Sequence, residues 1–329
     1  MKLFVVNFLG IMIIAANLAG WSEGIFLNDY CEDFKIDKNI DLSDKIIVLT
    51  GATSGIGLET ARFLYQRGAK VIIPSRNITK AQRAVEDIKK SNNPTADLII
   101  YQLDLNNFES VRNCAEKIVN DYEKIDILIN NAGIVVDKFM KSIDGYETHL
   151  QTNYLSPFLF TLLLLPALAK SNEARIINLT SLSHYIGVIN FDDLNTENPF
   201  STVFAYSQSK LSISLFTQEL TRKLQKNNLT NIHVYDVDPS LVKTELLDKF
   251  FPSSLTALIE PILKNNKQGA GTTIYCATSP LVAHQTGLYY INCDVTTPAL
   301  RAMSPSLAEK LWNKTIELIN YSSPLLSLK

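Results

Sequence analysis

The 329-residue sequence is poor in cysteine and has no block of like charge. Its four cysteines (Cys31, Cys114, Cys276 and Cys293) form no CxxC pair, and this spacing favours buried thiols over a disulfide framework or a metal site. The 31 basic and 33 acidic residues nearly balance, so nucleic-acid binding has no electrostatic support. Apolar residues make up 46% and charged residues 19% of the chain, which is typical of a globular protein. We therefore expect a folded domain without a metal or a nucleic-acid partner.

The N-terminal stretch Leu3–Ala19 is almost wholly apolar. Its length is close to the ~20 residues of a membrane-spanning helix, which favours a retained anchor within residues 1–24. A signal peptide cleaved after Gly24 is the alternative. Both interpretations imply the endoplasmic reticulum: its membrane for an anchor, and the lumen or secretion for a cleaved signal. Lysines lie on both sides of the segment, so charge does not determine the topology.

Residues 25–44 are polar and predict a linker, and from Lys45 onward short apolar runs alternate with longer helical patterns. This alternation predicts an α/β fold, a single Rossmann-type domain over residues 45–329 with a doubly wound parallel sheet. A ligand would then lie beyond the carboxyl ends of the strands. The predicted strands are Ile46–Thr50, Lys70–Pro74, Leu98–Leu103, Ile125–Asn130, Arg175–Thr180, Ile232–Val237 and Gly287–Asn292. Helical patterns between them include Thr79–Lys90, Phe108–Tyr122, Gly145–Leu165 and Tyr206–Lys226.

A glycine-rich stretch, TGATSGIG at Thr50–Gly57, joins the first predicted strand to an amphipathic helix. A helix N-terminus presents unpaired N–H groups and a positive dipole end, which attract a phosphate. Gly51, Gly55 and Gly57 would serve the turn, the approach of the backbone to a pyrophosphate, and the packing of helix on strand. The spacing is GxxxGxG rather than GxGxxG. A lone glycine triplet is often only a loop. The prediction of dinucleotide binding therefore depends on the position of this triplet between a strand and a helix.

The second predicted strand ends at Pro74 and is followed by Arg76 and Asn77. NAD-selective sites usually place a carboxylate here, where it binds the 2′-hydroxyl of the adenine ribose. This chain has Arg76 instead, and a planar guanidinium suits a phosphate. The residue therefore favours NADP(H) and leaves NAD(H) open, and the alternative is a surface arginine in a loop.

Two other strand ends carry polar residues. Asp104 lies between two leucines, where it either caps the next turn or accepts a hydrogen bond from adenine. The sequence Asn130-Asn131-Ala132-Gly133 would let the backbone approach a cofactor while the amide side chains tie neighbouring strands together. A simple turn is the alternative for this stretch.

Tyr206 and Lys210 have the i, i+4 spacing that places two side chains on one face of a helix. An ammonium beside a phenol stabilises the phenolate and lowers the tyrosine pKa from its usual ~10, so the tyrosine can act as general acid and base. Alone, this spacing is a weak signal. Ser181 ends a buried strand, where it either donates to a substrate oxygen or closes a turn. Asn153 is polar in an apolar helical pattern, and it requires a local helix bond or a water relay.

Together these motifs resemble the short-chain dehydrogenase/reductase family. The matching elements occur in the family's order between Lys45 and Asn292: TGATSGIG, Asp104, NNAG at Asn130–Gly133, Asn153, Ser181 and YSQSK at Tyr206–Lys210. Within the family the chain is most similar to the retinol-dehydrogenase group, whose relatives include the WW-domain oxidoreductase and polyprenol-directed enzymes. Stretches such as RNITKA at Arg76–Ala81 and GLYYINC at Gly287–Cys293 carry this similarity.

The resemblance implies a catalytic tetrad of Asn153, Ser181, Tyr206 and Lys210. In it Tyr206 exchanges the proton, Ser181 holds the substrate oxygen, Lys210 binds the nicotinamide ribose and Asn153 anchors a relay water. The family pattern also differs at one point, because Ser240 stands where a glycine is usual. The cofactor-binding residues it implies are Thr50, Gly51, Ser54, Gly55, Ile56, Gly57, Arg76, Asn77, Asp104, Leu105, Asn131, Ala132, Gly133, Tyr206, Lys210, Pro239 and Thr244.

The stretch Phe250–Leu263 lies where the family has its variable substrate lid. Its aromatic and aliphatic residues indicate either a lipophilic substrate entering from a membrane or a core helix. We expect a retinoid- or polyprenoid-like alcohol or aldehyde; the alternative within the family is a steroid or carbonyl reductase. A non-catalytic Rossmann-fold binding or regulatory protein is the other hypothesis. A homodimer is compatible with the resemblance.

Five glycosylation sequons occur in the chain. We expect no glycan at Asn178, in a predicted strand, or at Asn77, beside the predicted cofactor site. Asn228, Asn313 and Asn320 could be modified if they faced a lumen.

Overall fold

The computed structural model describes residues 31, 36–37, 39–90, 93, 95–243, 263–321 and 323–326. The predicted anchor at Leu3–Ala19, the predicted cofactor residue Thr244 and all of the predicted lid except Leu263 lie outside the described residues. Within the described part of the chain, none of the helices combines the length and apolar character that a bilayer crossing requires.

The described strands form one sheet in the order β3-β2-β1-β4-β5-β6-β7-β8. The first seven run parallel, and β8 pairs antiparallel with β7 at one edge. The reversal of strand order beside β1 opens a crevice between the ends of β1 and β4, the usual ligand position in such sheets. The strands are β1 (Ile46–Leu49), β2 (Lys70–Ser75), β3 (Asp97–Gln102), β4 (Ile127–Asn130), β5 (Ala174–Leu179), β6 (Ile232–Asp238), β7 (Leu288–Ile291) and β8 (Asp294–Thr296).

Helices cover both faces of the sheet, and each face has its own apolar cluster. In β1, Val48 packs into one cluster while Ile47 and Leu49 pack into the other, because successive side chains of a strand point to opposite faces. Both faces are therefore buried, as the continuous apolar run of this strand predicts. The α-helices are α1 (Gly55–Gln66), α2 (Ile78–Lys89), α3 (Phe108–Asp121), α4 (Ser156–Leu168), α5 (Thr202–Lys226), α6 (Asn266–Thr278) and α7 (Pro305–Ile319).

The doubly wound parallel sheet predicted from the sequence is confirmed, with differences at element ends. The helix expected from Gly145 starts later, because Gly145 has a φ of +87° in a turn closed by backbone bonds between Ser142 and Tyr146. A π-helix at Leu150–Leu155 then leads into α4. Strand β8 is too short for periodicity to indicate it.

The cysteine prediction is wrong for one pair. Cys31 and Cys293 form a disulfide with their Cα atoms 5.3 Å apart, whereas Cys114 and Cys276 are buried free thiols. Sequence spacing does not reveal the pair because it spans 262 positions. The region predicted as a linker also contributes Leu42, which is buried, so the packed domain begins before Lys45.

Candidate active site

A cleft of about 650 Å³ lies beyond the carboxyl ends of the parallel strands. It brings together residues that are far apart in the sequence, including the glycine turn, the end of β2, the end of β4 and one face of α5. Of the site residues predicted from the sequence, Asn153 lies behind the lining and Thr244 is outside the described residues. The predicted residues that line the cleft are Thr50, Gly51, Ser54, Gly55, Ile56, Gly57, Arg76, Asn77, Asp104, Leu105, Asn131, Ala132, Gly133, Ser181, Tyr206, Lys210 and Pro239.

The glycine turn brings the N-terminus of α1 to the cleft. Gly51 has a φ of +71°, a backbone conformation that side chains disfavour. A Cβ on Gly57 would lie 2.8 Å from the carbonyl carbon of Gly51, so only glycine lets α1 pack this closely on the turn. Ser54, at the N-cap, makes no side-chain capping bond among the described residues. The N–H groups that open α1 are therefore available to an anion in the cleft.

Hydrogen bonds from Thr50 and Asn131 join the ends of β1 and β4. The Thr50 hydroxyl accepts from the backbone N–H groups of Asn131 and Ala132, each at 3.1 Å. The Asn131 amide donates to the Thr50 carbonyl at 2.9 Å. Asn130 makes a comparable link, because its amide donates to Asn178 on β5 at 2.8 Å. The amides thus tie neighbouring strands together, as predicted, and hold this edge of the cleft rigid.

The end of β2 places Arg76 at the cleft with an exposed side chain. Its neighbour Asn77 caps α2 by accepting the backbone N–H of Lys80 at 2.8 Å. The Arg76 carbonyl accepts a bond from Gln102, which anchors the backbone and leaves the guanidinium in solvent. Asp104 lines the same part of the cleft, and its carboxylate accepts the backbone N–H of Asn106 at 2.9 Å. The turn-capping role considered for Asp104 is therefore present.

Tyr206 and Lys210 are both buried on α5 and face the cleft together. The Lys210 Nζ lies 5.7 Å from the centre of the Tyr206 ring and donates to the Leu179 carbonyl at 2.8 Å. Ser181, which follows β5, hydrogen-bonds the Tyr206 side chain. A phenol, an ammonium and a hydroxyl therefore meet at one end of the cleft.

The predicted direction of the tyrosine pKa is wrong in this arrangement. Burial raises the pKa of Tyr206 above its ordinary value, an effect opposed by the bond from Ser181 and reinforced by the charge of Asp238. Burial lowers the pKa of Lys210 to about 8, while the carboxylates of Asp238 and Asp236 act in the opposite direction. Moving a phenolate or an ammonium out of water is costly. For Tyr206 this desolvation outweighs the lowering of the pKa expected from an ammonium one helical turn away. Tyr206 is consequently a protonated phenol at neutral pH.

Asn153 lies in the π-helix, a distortion that often marks functional sites. Its side chain accepts the backbone N–H of Ile134 at 2.8 Å and donates to the Ile134 carbonyl and to Ser209, each at 3.1 Å. Neither a local helix bond nor a water is needed to satisfy this amide, contrary to the sequence-based expectation. A Cβ on Gly133 would lie 3.6 Å from both the Asn153 Oδ1 and the Lys210 Nζ, so the loop that Asn153 holds lies beside Lys210.

Ser181 also has a structural role. It caps a short 3-10 helix at Leu182–Ile186 by accepting the Ser183 backbone N–H at 3.3 Å. The two interpretations considered from the sequence are thus compatible, because the hydroxyl that closes the turn also faces the cleft.

Two buried carboxyl groups on β6 were not identified from the sequence as part of the site. Asp238 accepts the Tyr289 hydroxyl at 3.0 Å and the Ser240 backbone N–H at 2.7 Å. Asp236 is fully buried beside the Ser214 hydroxyl, whose hydrogen bond lowers its pKa against the larger effect of burial. Burial raises the pKa of Asp236 to about 7 and that of Asp238 to about 6. Two aspartates at i, i+2 in an apolar strand share one face, and this is the signal that could have identified them.

Ser240 has a φ of +66°, so the position occupied by glycine in the family pattern keeps a left-handed backbone here. A serine has a Cβ, so it adopts this left-handed backbone beside the cleft at a cost in conformational free energy.

Residues 45–254 match the family described as short chain dehydrogenase. Human retinol dehydrogenase 12 is 39% identical over 285 residues, which cover 85% of this chain and 88% of that protein. The chloroplastic short-chain dehydrogenase TIC 32 A of Brassica napus is 40% identical over 294 residues, covering 86% of this chain and 91% of that protein.

Among solved structures, an uncharacterized protein from Mycobacterium Paratuberculosis superposes with a TM-score of 0.71 and 29% identity. The match covers 90% of this chain and 98% of that chain. The superposed length therefore extends well beyond the glycine turn and its neighbouring strands. With the cleft, the glycine turn and the Tyr206–Lys210 pair in place, these similarities show that the chain belongs to the short-chain dehydrogenase/reductase family, oxidoreductases that use a nicotinamide cofactor.

Proposed function

We propose that this protein transfers a hydride between NADP(H) and a lipophilic alcohol, aldehyde or ketone, with Tyr206 as the general acid and base. The observation that carries the proposal is the meeting of Tyr206, Lys210 and Ser181 at one end of a cleft whose other end is a phosphate-suited helix N-terminus. A purely structural domain has no need of a buried ammonium beside a buried phenol, because each burial carries a desolvation penalty.

The residues present fit a nicotinamide dinucleotide. The uncapped start of α1 suits a pyrophosphate, and Gly57 lets α1 pack on the glycine turn because a Cβ there would meet the Gly51 backbone. Arg76 lines the cleft at the end of β2, where it would bind a 2′-phosphate and where a carboxylate would select NAD(H). The nicotinamide supplies the hydride chemistry when bound.

The protein's own residues handle the proton and the substrate oxygen. Tyr206 is protonated at neutral pH, so it donates its proton to a carbonyl oxygen in the reductive direction. In the oxidative direction Tyr206 must first lose its proton, and its phenolate then accepts the proton of the substrate alcohol. Ser181 donates to the same oxygen from the end of β5. Lys210 donates a hydrogen bond to the Leu179 carbonyl. Asn153 bonds the Ile134 backbone and so positions the loop at Gly133 beside Lys210.

The substrate end of the cleft has an apolar lining, which supports a lipophilic substrate. Side chains from three separate segments contribute, and Met140 is about half exposed at 54%. Such walls stabilise aliphatic or isoprenoid groups by removing them from water. The apolar lining residues that we assign to this end are Ile134, Val135, Val136, Met140, Leu182, Leu241 and Val242.

A retinoid- or polyprenoid-like alcohol or aldehyde is the substrate class we favour, and human retinol dehydrogenase 12 is among the similar proteins. A steroid or other carbonyl compound is the second candidate, since an apolar wall accepts both. We also propose that residues 1–24 anchor the protein in the membrane of the endoplasmic reticulum and that the protein forms a homodimer.

Initial-rate assays of the full-length protein in detergent micelles test this proposal. Retinoid, polyprenoid and steroid alcohols and carbonyl compounds would be assayed with NADP(H) and with NAD(H). We expect turnover of a lipophilic substrate with a preference for NADP(H). Turnover confined to small hydrophilic substrates, or no turnover at all, would contradict it.

Charge reversal at the end of β2 tests the cofactor assignment. Arg76→Glu should shift the preference toward NAD(H) by about tenfold or more, because a charge-assisted bond to phosphate contributes roughly 1.5–3 kcal/mol. Arg83→Glu makes the same charge change at an exposed position on α2 outside the cleft and should leave the ratio unchanged. An unchanged ratio in Arg76→Glu would identify Arg76 as a plain surface residue.

A further inference from the structure

The disulfide between Cys31 and Cys293 bears on the compartment in which this protein folds. Its Cα–Cα distance of 5.3 Å lies in the usual range for disulfides, and disulfides persist in oxidising compartments but are rare in the cytosol. We propose that the catalytic domain matures on the non-cytosolic side of the membrane. There the Cys31–Cys293 bond forms and the exposed residues Asn228, Asn313 and Asn320 receive N-linked glycans. This inference is independent of the reaction proposed above.

The fold brings the two cysteines together through specific packing. Cys293 lies in the tight turn between β7 and β8, is 2% exposed, and donates its backbone N–H to the Thr272 hydroxyl at 3.3 Å. Cys31 packs on α6, where a Cβ on Gly271 would lie 2.9 Å from the Cys31 Cβ. Only a glycine at that position leaves room for the cysteine. The bond thereby holds Cys31 against α6 beside the sheet edge.

The other two cysteines show that this pairing is selective. Cys114 lies in α3 and Cys276 in α6, and both are buried free thiols. A buried thiol is protected from oxidants, whereas Cys31 is partly exposed and can be reached. An oxidising compartment would therefore produce one intramolecular disulfide and leave two thiols.

The Cys31–Cys293 disulfide forms by thiol–disulfide exchange. The Cys31 and Cys293 thiols together lose two protons and two electrons, and the oxidant is the disulfide of a thiol–disulfide oxidoreductase, which becomes a dithiol. The S–S bond of the oxidant breaks as the Cys31–Cys293 bond forms, through a mixed disulfide.

The sequons divide into two groups by position. Asn178 is 1% exposed in β5 and offers no open surface. Asn77 is exposed but lines the cofactor cleft, where a glycan would obstruct the cofactor. Asn228, Asn313 and Asn320 are exposed, and none lines the cleft in the described part of the chain. Asn228 follows α5, while Asn313 lies on α7 and Asn320 caps its end. A glycan on any of them would leave the cleft open.

Glycan attachment is also balanced. The side-chain nitrogen of each asparagine bonds to the anomeric carbon of a lipid-linked oligosaccharide diphosphate. The bond between that carbon and the diphosphate oxygen breaks, the lipid diphosphate leaves, and the amide nitrogen loses one proton. The lipid-linked donor is used only in the lumen, so a glycan on this chain shows that the catalytic domain has entered the lumen.

The test uses the full-length chain expressed in animal cells, with thiols trapped by acid quenching. Denatured protein is treated with a polyethylene-glycol maleimide before and after reduction. We expect two adducts before reduction, from Cys114 and Cys276, and four afterwards. Cys293→Ser should give three adducts in both conditions. The matched control Cys114→Ser should still gain two adducts on reduction.

Digestion with a peptide N-glycosidase provides the second measurement. We expect a mobility shift that decreases stepwise in Asn228→Gln, Asn313→Gln and Asn320→Gln and disappears in the triple variant. Asn227→Gln, one position from a sequon, should keep the full shift. Four adducts before reduction, or no mobility shift in the wild-type chain, would overturn the proposal. Neither measurement requires catalytic activity, so failure here is distinct from failure of the proposed reaction.

Discussion

Replacing Tyr206 by phenylalanine removes the one hydroxyl to which the proposed mechanism assigns proton transfer. A positioned general acid contributes about 10²–10⁴ in rate, or roughly 3–5 kcal/mol of barrier. We expect a loss in the upper half of that range because Tyr206 is 5% exposed, which limits its replacement by solvent. Lys210 already donates to the Leu179 carbonyl, so it is poorly placed to substitute.

The assay compares turnover with cofactor binding in the same preparation. Turnover of Tyr206→Phe should fall at least about a thousandfold, while the dissociation constant of reduced cofactor, measured by its fluorescence, should stay within about twofold because the phenyl ring is retained. Stability should decrease by about 1 kcal/mol through loss of the bond with Ser181.

Tyr154→Phe provides the matched control. Its hydroxyl bonds Thr315 at 2.7 Å in the core, away from the cleft lining. It should lose a similar amount of stability, about 1 kcal/mol, with unchanged turnover. If Tyr206→Phe kept more than about a tenth of wild-type turnover, general acid–base catalysis by this residue would be refuted.

Substitutions at three further positions test the packing and electrostatics in and around the cleft. Gly57→Ala should weaken cofactor binding and lower stability by about 1–3 kcal/mol, because its Cβ would meet the Gly51 backbone; an unchanged urea midpoint and affinity would contradict the packing argument. Ser240→Gly should raise stability by about 0.5 kcal/mol, since relief of a positive φ, about 1–2 kcal/mol, exceeds the entropy that glycine adds to the unfolded chain. Ser240→Ala keeps the Cβ and should show no gain in urea unfolding; equal gains would refute the backbone explanation. Asp236 has its folded pKa raised by burial to about 7 from 3.8, so the stability it contributes is full below pH 3.8 and is lost as pH rises through about 7. Urea midpoints of Asp236→Asn should therefore exceed those of wild type at pH 8 and approach them near pH 5, and a constant difference would exclude this titration.

Much of the fold follows from local patterns in the sequence. The apolar run of β1, the glycines after it and the amphipathic α1 specify strand, turn and helix through short-range sterics and burial. Repetition of that alternation, with right-handed crossovers, leaves few arrangements other than a parallel sheet with helices on both faces. The ends of those strands then had to meet at one edge, which is why residues as distant as Gly51 and Lys210 could be assigned to one cleft.

The tertiary structure determined the features that depend on the distance between residues remote in the sequence and on their burial. The pKa of Tyr206 rises, against the effect expected from its spacing to Lys210, because desolvation is a property of the packed interior. Asn153 bonds the backbone of Ile134, 19 positions away in the sequence, a partner that no helical periodicity indicates. The Cys31–Cys293 pair joins positions 262 residues apart, and Asp236 and Asp238 become part of the site only when α5 packs over β6. Sequence patterns determine local conformation and which face of an element is buried, whereas the partners of a buried charge or thiol are set when the whole chain has packed.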